Sequence, residues 1–215
     1  MEEEFSINPI NFFQISFECP RLEQREGGIF SLALDNHKKY LLPDLSKIQG
    51  EFAFGKIALG WSPLGIEIFA VIDKPYEKSI FPNAELGDSL EVCIDTRNVK
   101  TSGFNTRFCH HFYALPAQVN GIYAGELTKF RTEDAHDLCD SSKLHVKAEF
   151  AKKHYLLHLF IPAECLHGYD PDQFDQLGFT YRLNRYHGSP QHFSVSSAEF
   201  PFEQQPSLWS SVKLC

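Results

Sequence analysis

The chain has 215 residues, a formal net charge of −8 and a hydrophobic fraction of 43%. This length and apolar content predict one domain over 1–215 with a sizeable core, and 20 Phe with 8 Tyr favour a sheet protein over a helical bundle. The negative charge excludes a broad nucleic-acid interface, because phosphate binding requires clustered Lys and Arg. No apolar stretch is long enough to predict a membrane span.

The N-terminus and the cysteines predict the compartment. Residues 1–5 have no cationic segment followed by an apolar run, so we expect no secretory signal. The six cysteines form no CxxC pair and no framework spacing. Cys93 and Cys165 lie in apolar runs, where a free thiol behaves as a small hydrophobe. We therefore predict reduced thiols and a cytoplasmic chain.

Short stretches in which apolar and polar residues alternate predict half-buried strands. In chain order they are 10–17, 29–34, 52–61, 66–72, 87–97, 107–113, 127–130, 144–150, 155–161, 177–185, 192–196 and 208–214. Pro63 and Gly65 place a tight turn in the first hairpin, and 162–166 has the length of one helical turn. The pattern predicts an all-β fold, an antiparallel β-sandwich that is jelly-roll-like with immunoglobulin-like layers. Residues 1–50 are not placed by it.

The two central stretches, 87–97 and 107–113, carry acids, histidines and arginines around a short connection. Carboxylates and guanidinium groups can orient a polyol through bidentate hydrogen bonds. We therefore predict a ligand site at this pole, and its candidate residues are Asp95, Arg97, Arg107, His111 and Arg182. Ion pairs that order the strand ends are the alternative interpretation of the same residues.

The tripeptide Cys109–His110–His111 raises a catalytic or metal hypothesis. Cys109 and His111 share a face of their strand, so a thiolate–imidazole pair is conceivable. No third orienting group is evident, and the spacing differs from closed structural zinc sites. We expect His110 to be a hydrogen-bonded core histidine between Phe108 and Phe112.

Two further groups have polar chemistry. The loop 132–142 concentrates carboxylates, the ligands that calcium prefers, and Glu133, Asp134 and Asp137 are its candidate metal ligands. The loop lacks the glycine and the ordered alternation of a calcium loop, so a solvated acidic loop is the alternative. The stretch 181–191 mixes Tyr, Arg, Asn, His and Gln, the composition either of a sugar-binding face or of cross-strand pairs on an exposed sheet.

Four motifs follow one another in a fixed order: GDSLEVCID at 87–95, FYALP at 112–116, IPAE at 161–164 with LGF at 177–179, and PSLW at 206–209 with VKL at 212–214. Together they resemble the central strand, its partner, the I-P corner and the closing strand of family 9 carbohydrate-binding modules and the wider DOMON-like sandwiches. The resemblance begins near residue 50. It is strongest to a branch with the signatures DTR, RFCHxF, IPAxxLxGxDP and PSLW, here at 95–97, 107–112, 161–171 and 206–209.

This resemblance implies a non-catalytic sandwich that binds a saccharide or a similar polyol, in a family where some members carry structural calcium. Family 9 modules stack a terminal sugar between two tryptophans, whereas Trp61 and Trp209 are the only tryptophans here, and Trp209 lies in the closing strand motif, where packing is expected. Fold alone does not confer function. Two alternatives therefore stay open: a structural or protein-interaction domain that has lost the sugar site, and a metal- or Cys/His-dependent hydrolase.

Overall fold

The structure is a computed structural model that describes residues 13–23 and 28–215. Its strands are β1 (Ser16–Cys19), β2 (Gly55–Ser62), β3 (Gly65–Ile72), β4 (Ser89–Asp95), β5 (Cys109–Val119), β6 (Ile122–Glu126), β7 (His145–Phe150), β8 (Tyr155–Pro162), β9 (Gln176–Asn184), β10 (Gln191–His192) and β11 (Ser210–Leu214). Helical structure is limited to the single turn α1 (Ser46–Gln49) and to 3-10 turns at His37–Tyr40, Ala84–Leu86, Ser141–Lys143, Ala163–Cys165, Phe202–Gln204 and Pro206–Leu208. None of these described helices could cross a membrane.

The strands form two sheets that face each other. The larger sheet has the order β1-β11-β9-β4-β5-β6, with β10 paired to β9, and the smaller has the order β2-β3-β8-β7. Leu90, Val92 and Ile94 of β4 and Ile66 and Ile68 of β3 are fully buried in the shared core, as alternation along each strand requires. The predicted all-β sandwich is confirmed.

Both predicted hairpins are present. β2 and β3 pair from Gly55–Ile72 to Ser62–Gly65, and β7 and β8 pair from Phe150–Tyr155 to His145–Phe160. The helical turn expected at 162–166 is the 3-10 turn Ala163–Cys165. These features are local, so short-range sequence signals were sufficient to predict them.

Other strand predictions were wrong in place or extent. The strand expected at 127–130 is β6, which ends at Glu126, and the strand expected at 192–196 is only the two-residue β10. β11 begins at Ser210, since Pro206–Leu208 forms a 3-10 turn instead. The strand expected at 10–17 is described only from residue 13, and β1 occupies Ser16–Cys19. Residues 10–12 lie outside the described chain.

The stretch 29–34 is not a strand, although its composition predicted one. Its backbone is bound by a buried carboxylate on the outer face of β3: Ser31 N donates to Glu67 Oε2 at 2.8 Å and Leu32 N donates to Glu67 Oε1 at 2.9 Å. Leu32 is buried against Phe69 and Leu156, so it covers that face of the smaller sheet. The carboxylate of Glu67 thus takes the place of a neighbouring strand as the hydrogen-bond partner of these backbone N–H groups.

The pairing of β1 is an exception within the antiparallel sandwich. β1 runs parallel to the last strand, with Ser16 opposite Ser211 and Cys19 opposite Leu214. Beyond β1, Arg21 N donates to Cys215 O at 2.7 Å. The described N-terminal segment therefore forms the edge of the larger sheet beside the C-terminal residues.

The expectation of free thiols throughout the chain is also corrected. Cys139 and Cys165 form a disulfide with a Cα–Cα separation of 5.1 Å. It joins the loop before β7 to the 3-10 turn after β8, and the sequence separation of the two cysteines is 26. The sequence spacing did not reveal this pair, because the two cysteines meet only through the packing of β7 and β8.

Gly65 is required at the first hairpin, and its replacement gives a testable prediction. Its φ is +146°, and an added Cβ would approach Ile161 O and lie 2.9 Å from Pro162 Cα. We expect Gly65→Ala to lower the free energy of unfolding by about 1–3 kcal/mol, measured by urea denaturation. Gly103→Ala is the control, since its Cβ meets nothing within 4 Å. Equal stability of both variants would contradict the prediction.

Candidate functional site

Two of the five predicted ligand residues, His111 and Arg182, meet at one buried carboxylate, Glu91. Glu91 Oε2 lies 2.8 Å from His111 Nε2, and Glu91 Oε1 accepts from Arg182 at 3.0 Å (Nε) and 2.6 Å (Nη2) and from Asn184 Nδ2 at 2.6 Å. Strand register produces this contact, because Arg182 pairs directly with Glu91 across β4 and β9. Phe202 covers the group, with the Arg182 guanidinium 4.6 Å from its ring centroid.

These partners favour the ionised form of the Glu91 carboxyl group. Burial would raise the pKa of this carboxyl, but the hydrogen bond and charge of His111 and the charge of Arg182 outweigh burial and lower the pKa to about 2. The side chain of Glu91 is 3% exposed and that of Arg182 is 16% exposed. The group is a closed ion-pair network that fixes the outer face of the larger sheet.

Asp95 and Arg97 stabilise the turn after β4. Asp95 accepts hydrogen bonds from Arg97 N at 2.9 Å and Val99 N at 2.6 Å, and burial raises its pKa despite these bonds. The Arg97 guanidinium donates to Gly168 O and lies 3.7 Å from the ring centroid of Phe174. The polar groups of both residues are used within the protein, as in the alternative interpretation of strand-end ordering.

The fifth predicted ligand residue, Arg107, lies apart from the Glu91 network. Its side chain is half exposed and forms a surface ion pair with Asp134. Asp134 is thereby paired, and Glu133 and Asp137 are exposed. Among the residues that the structure describes, these three acids do not form a group with converging metal-binding atoms. Their donor arrangement therefore does not fit calcium, which binds six to eight converging oxygens.

The cysteine nucleophile hypothesis does not fit the structure. Cys109 is 1% exposed and packs with Cys93, Phe202 and Trp209. Burial raises its pKa to about 12, so the thiolate that nucleophilic attack requires is not formed near neutral pH. His111, on the same face, is bound to Glu91 instead.

His110, Glu126 and His136 form a second buried group, here called the pole cluster. His110 Nδ1 and His136 Nε2 each lie 2.9 Å from Glu126 Oε1, and Thr128 Oγ1 donates to the same oxygen at 2.6 Å. His110 stacks on Phe112 with 7° between their planes. The expectation of a hydrogen-bonded core histidine is therefore confirmed.

The position of the pole cluster follows from register. Glu126 of β6 is opposite Phe112 of β5, and His110 is on the same face as Phe112, two residues before it. His136 is supplied by the loop between β6 and β7, where its Nδ1 lies 2.7 Å from Arg107 O. Glu126 and His136 were missed by sequence reasoning. The available signal was His136 inside the acidic loop.

The three groups of the cluster shift one another's pKa values. Burial would raise the pKa of Glu126, but hydrogen bonds from His110 and His136 outweigh burial and lower it to about 2. Burial opposes protonation of His136, yet its hydrogen bond and charge interaction with Glu126 raise its pKa. Burial lowers the pKa of His110. His136 borders an open cavity of about 440 Å³, which Asp137, Glu164 and His167 also line.

A different cavity combines aromatic and polar side chains at the surface. It has a volume of about 460 Å³ and is lined by Gly50, Glu51, Phe52, Arg185, Ser189, Pro190, His192, Ser196, Ser197 and Ala198. We call it the Phe52 cavity, because the Phe52 residue is 74% exposed. Register places it at the other end of β9 from the pole cluster: Gln191 pairs with Leu183, whereas Ile94, opposite His110, pairs with Phe179.

His192 organises the wall of the Phe52 cavity. Its Nδ1 lies 2.6 Å from Glu51 Oε1, and its Nε2 lies 2.7 Å from Ser197 Oγ. The Ser197 backbone N–H also donates to His192 Nε2, at 3.2 Å, and His192 N donates to Glu51 Oε2 at 2.7 Å. The imidazole therefore ties the segment before β2 to the loop after β10.

The two tryptophans are structural. Trp61 is 9% exposed and donates its indole N–H to Cys19 O at 3.0 Å. Trp209 is 2% exposed and donates to Phe202 O at 2.7 Å, which agrees with the expected packing role. Neither ring offers a face to a sugar.

Solved structures identify the fold. A family 9 carbohydrate-binding module from Caldicellulosiruptor kristjanssonii in complex with cellotriose gives a TM-score of 0.62 at 16% identity over 93% of each chain. A module of the same family and organism in complex with glucose gives 0.63 at 13% identity over 93% of this chain and 95% of that chain. The fold is that of the family 9 carbohydrate-binding modules.

A Bacteroides uniformis protein named for carbohydrate binding has the fold at a lower TM-score, 0.54, with 8% identity over 94% of this chain and 100% of that chain. Neither a protein-family model nor a curated protein sequence matches the chain. The likeness to family 9 modules thus concerns architecture, and the ligand has to be argued from the residues of this chain.

Proposed function

We propose that this protein is a non-catalytic module that binds a saccharide or a similar polyol in the Phe52 cavity. The observation that carries the proposal is the exposed ring of Phe52 beside Glu51, Arg185 and Ser197 in one open cavity. Sugar binding uses an aromatic face for the C–H groups of the pyranose ring and polar side chains for its hydroxyls. The likeness to modules solved with cellotriose and glucose supports the same ligand class.

The cavity has the size and rigidity that such a ligand requires. Its volume of about 460 Å³ lies within the range of small-molecule sites, about 300–1,000 Å³. Arg185 Nε donates to Ser189 O at 3.0 Å, and the guanidinium packs over Phe54 at 5.1 Å. Because guanidinium has five N–H donors, this single hydrogen bond orients the group and leaves donors for sugar hydroxyls.

Removal of the aromatic surface should weaken binding. We expect a panel of mono- and oligosaccharides to contain a ligand that raises the thermal unfolding midpoint of the wild-type protein, because a ligand that binds only the native state stabilises it. Phe52→Ala should lower the affinity for that ligand at least about fivefold, since loss of an aromatic contact costs roughly 1 kcal/mol or more. Thermal shift and isothermal titration calorimetry measure both effects.

Tyr123→Ala is the matched control, because Tyr123 is an exposed aromatic residue on β6 that does not line the Phe52 cavity. Its affinity for the sugar should equal that of the wild-type protein. The absence of a shift with any sugar would contradict the proposal and favour a structural or protein-interaction role. Equal affinity of wild type and Phe52→Ala would exclude this cavity as the site.

A further inference from the structure

We propose that the pole cluster is a zinc site in which His110 Nδ1, Glu126 Oε1 and His136 Nε2 are the ligands. These three atoms all lie within 4.8 Å of one another, and no other group in the described residues brings three such ligands together. The site lies apart from the Phe52 cavity, so this inference does not depend on saccharide binding.

Both imidazole nitrogens must move slightly away from Glu126 Oε1 to accept the ion. Each imidazole nitrogen now lies 2.9 Å from Glu126 Oε1. Ligands of a tetrahedral zinc ion at about 2.0–2.1 Å are about 3.3 Å apart. Each nitrogen–oxygen distance must therefore lengthen by a few tenths of an ångström for a cation to replace the bridging protons, and the two nitrogens, which lie within 4.8 Å of each other, must also stand about 3.3 Å apart.

The surroundings hold the ligands as zinc sites require. His136 Nδ1 lies 2.7 Å from Arg107 O, an arrangement that fixes the ring and directs Nε2 into the cluster. Glu126 Oε2 accepts from Cys139 N at 2.8 Å, which orients the carboxylate. His110 is held by stacking on Phe112, and His136 stacks on His167. In metal sites, such contacts between a ligand side chain and its surroundings set the tautomer and the direction of the ligand.

The donor set identifies the class of metal. Two imidazoles and one carboxylate suit borderline cations such as zinc, whereas calcium and magnesium prefer oxygen alone. The net charge of the buried site would also be low, because one carboxylate and two neutral imidazoles leave a zinc complex with a single positive charge. His136 is also the one residue of the cluster that lines the cavity of about 440 Å³.

The test is zinc binding by the chelator-treated full-length chain, measured by competition with a chromogenic chelator and by elemental analysis. We expect one zinc per chain, a rise in the thermal midpoint with Zn²⁺ but not with Ca²⁺, and visible d–d absorption bands after Co²⁺ substitution. His136→Gln and Glu126→Gln should weaken zinc binding at least about tenfold, because loss of even an outer-shell partner costs about 10–100-fold.

His145→Gln is the control, because His145 lies on β7 and stacks on Phe160 instead of belonging to the cluster. It should bind zinc as the wild type does, and so should Phe52→Ala, which separates this proposal from the saccharide site. If Glu126→Gln does not fold, the comparison of the Co²⁺ absorption spectra of the wild type and His136→Gln tests the proposal instead. No stoichiometric zinc in the wild type, or unchanged affinity in His136→Gln, would overturn the proposal.

Discussion

Replacement of Glu91 with glutamine should lower the free energy of unfolding by about 3–5 kcal/mol, the cost of removing one partner of a buried ion pair. The substitution keeps the size of the side chain but leaves the guanidinium of Arg182 without its carboxylate in a site that is mostly shielded from water. Glutamine also has only one acceptor oxygen, so it cannot accept from His111 and Arg182 with separate oxygens as the carboxylate does. Urea denaturation measures the change, and the slope with urea should stay the same.

The control for this experiment is Glu149→Gln. Glu149 pairs with Lys147 at 2.6 Å, but both side chains are more than half exposed, so the expected loss is below about 1 kcal/mol. Replacement of Glu91 and Arg182 together by glutamine and methionine should be less damaging than Glu91→Gln alone, because no unpaired charge is left. A Glu91→Gln loss no larger than that of Glu149→Gln would show that the network contributes nothing to stability.

The same carboxylate should make the protein sensitive to acid. The pKa of Glu91 is lowered from its ordinary value of 4.5 to about 2 in the folded protein, because His111 and Arg182 outweigh the effect of burial. A depressed folded pKa contributes stability above pH 4.5 that is lost as the pH falls toward 2. We expect a loss of about 3 kcal/mol over this window from Glu91, since one pKa unit corresponds to about 1.4 kcal/mol.

Urea denaturation at several pH values between 5 and 2 tests this dependence. The difference in stability between wild type and Glu91→Gln should shrink by about 3 kcal/mol as the pH falls, because the wild-type carboxylate becomes protonated. Glu149→Gln should follow the wild-type curve much more closely, since its pair is solvent-screened. A constant difference between wild type and Glu91→Gln across the window would refute the assignment of the depressed pKa to this residue.

The fold was largely predictable because its strands carry local signals. Alternation marked β4 and β5, and Pro63 with Gly65 marked the turn between β2 and β3. Local signals fail where a distant side chain takes over the backbone. The stretch 29–34 has the composition of a strand, yet Glu67, more than 30 residues away, binds its N–H groups. Composition cannot reveal such a partner.

The candidate sites were less predictable, because they depend on register. His110 was recognised as a core histidine, but its partner Glu126 lies in β6. That strand was expected at 127–130 and in fact ends at Glu126. His111 and Arg182 were both selected, but the residue that joins them is Glu91, and the pairing of β4 with β9 was needed to show this. The exposure of Phe52 could not be predicted from its apolar character.

The parallel pairing of β1 with β11 has a consequence for the folding rate. This pairing joins residues from the two ends of the described chain, so the loop that must be closed is nearly as long as the protein. Closure of long loops loses chain entropy before any contact compensates for it, and folds dominated by such distant contacts fold in about milliseconds to seconds. We expect β1 to dock after the β2–β3 and β7–β8 hairpins have formed, so that its amide protons become protected from exchange last during refolding.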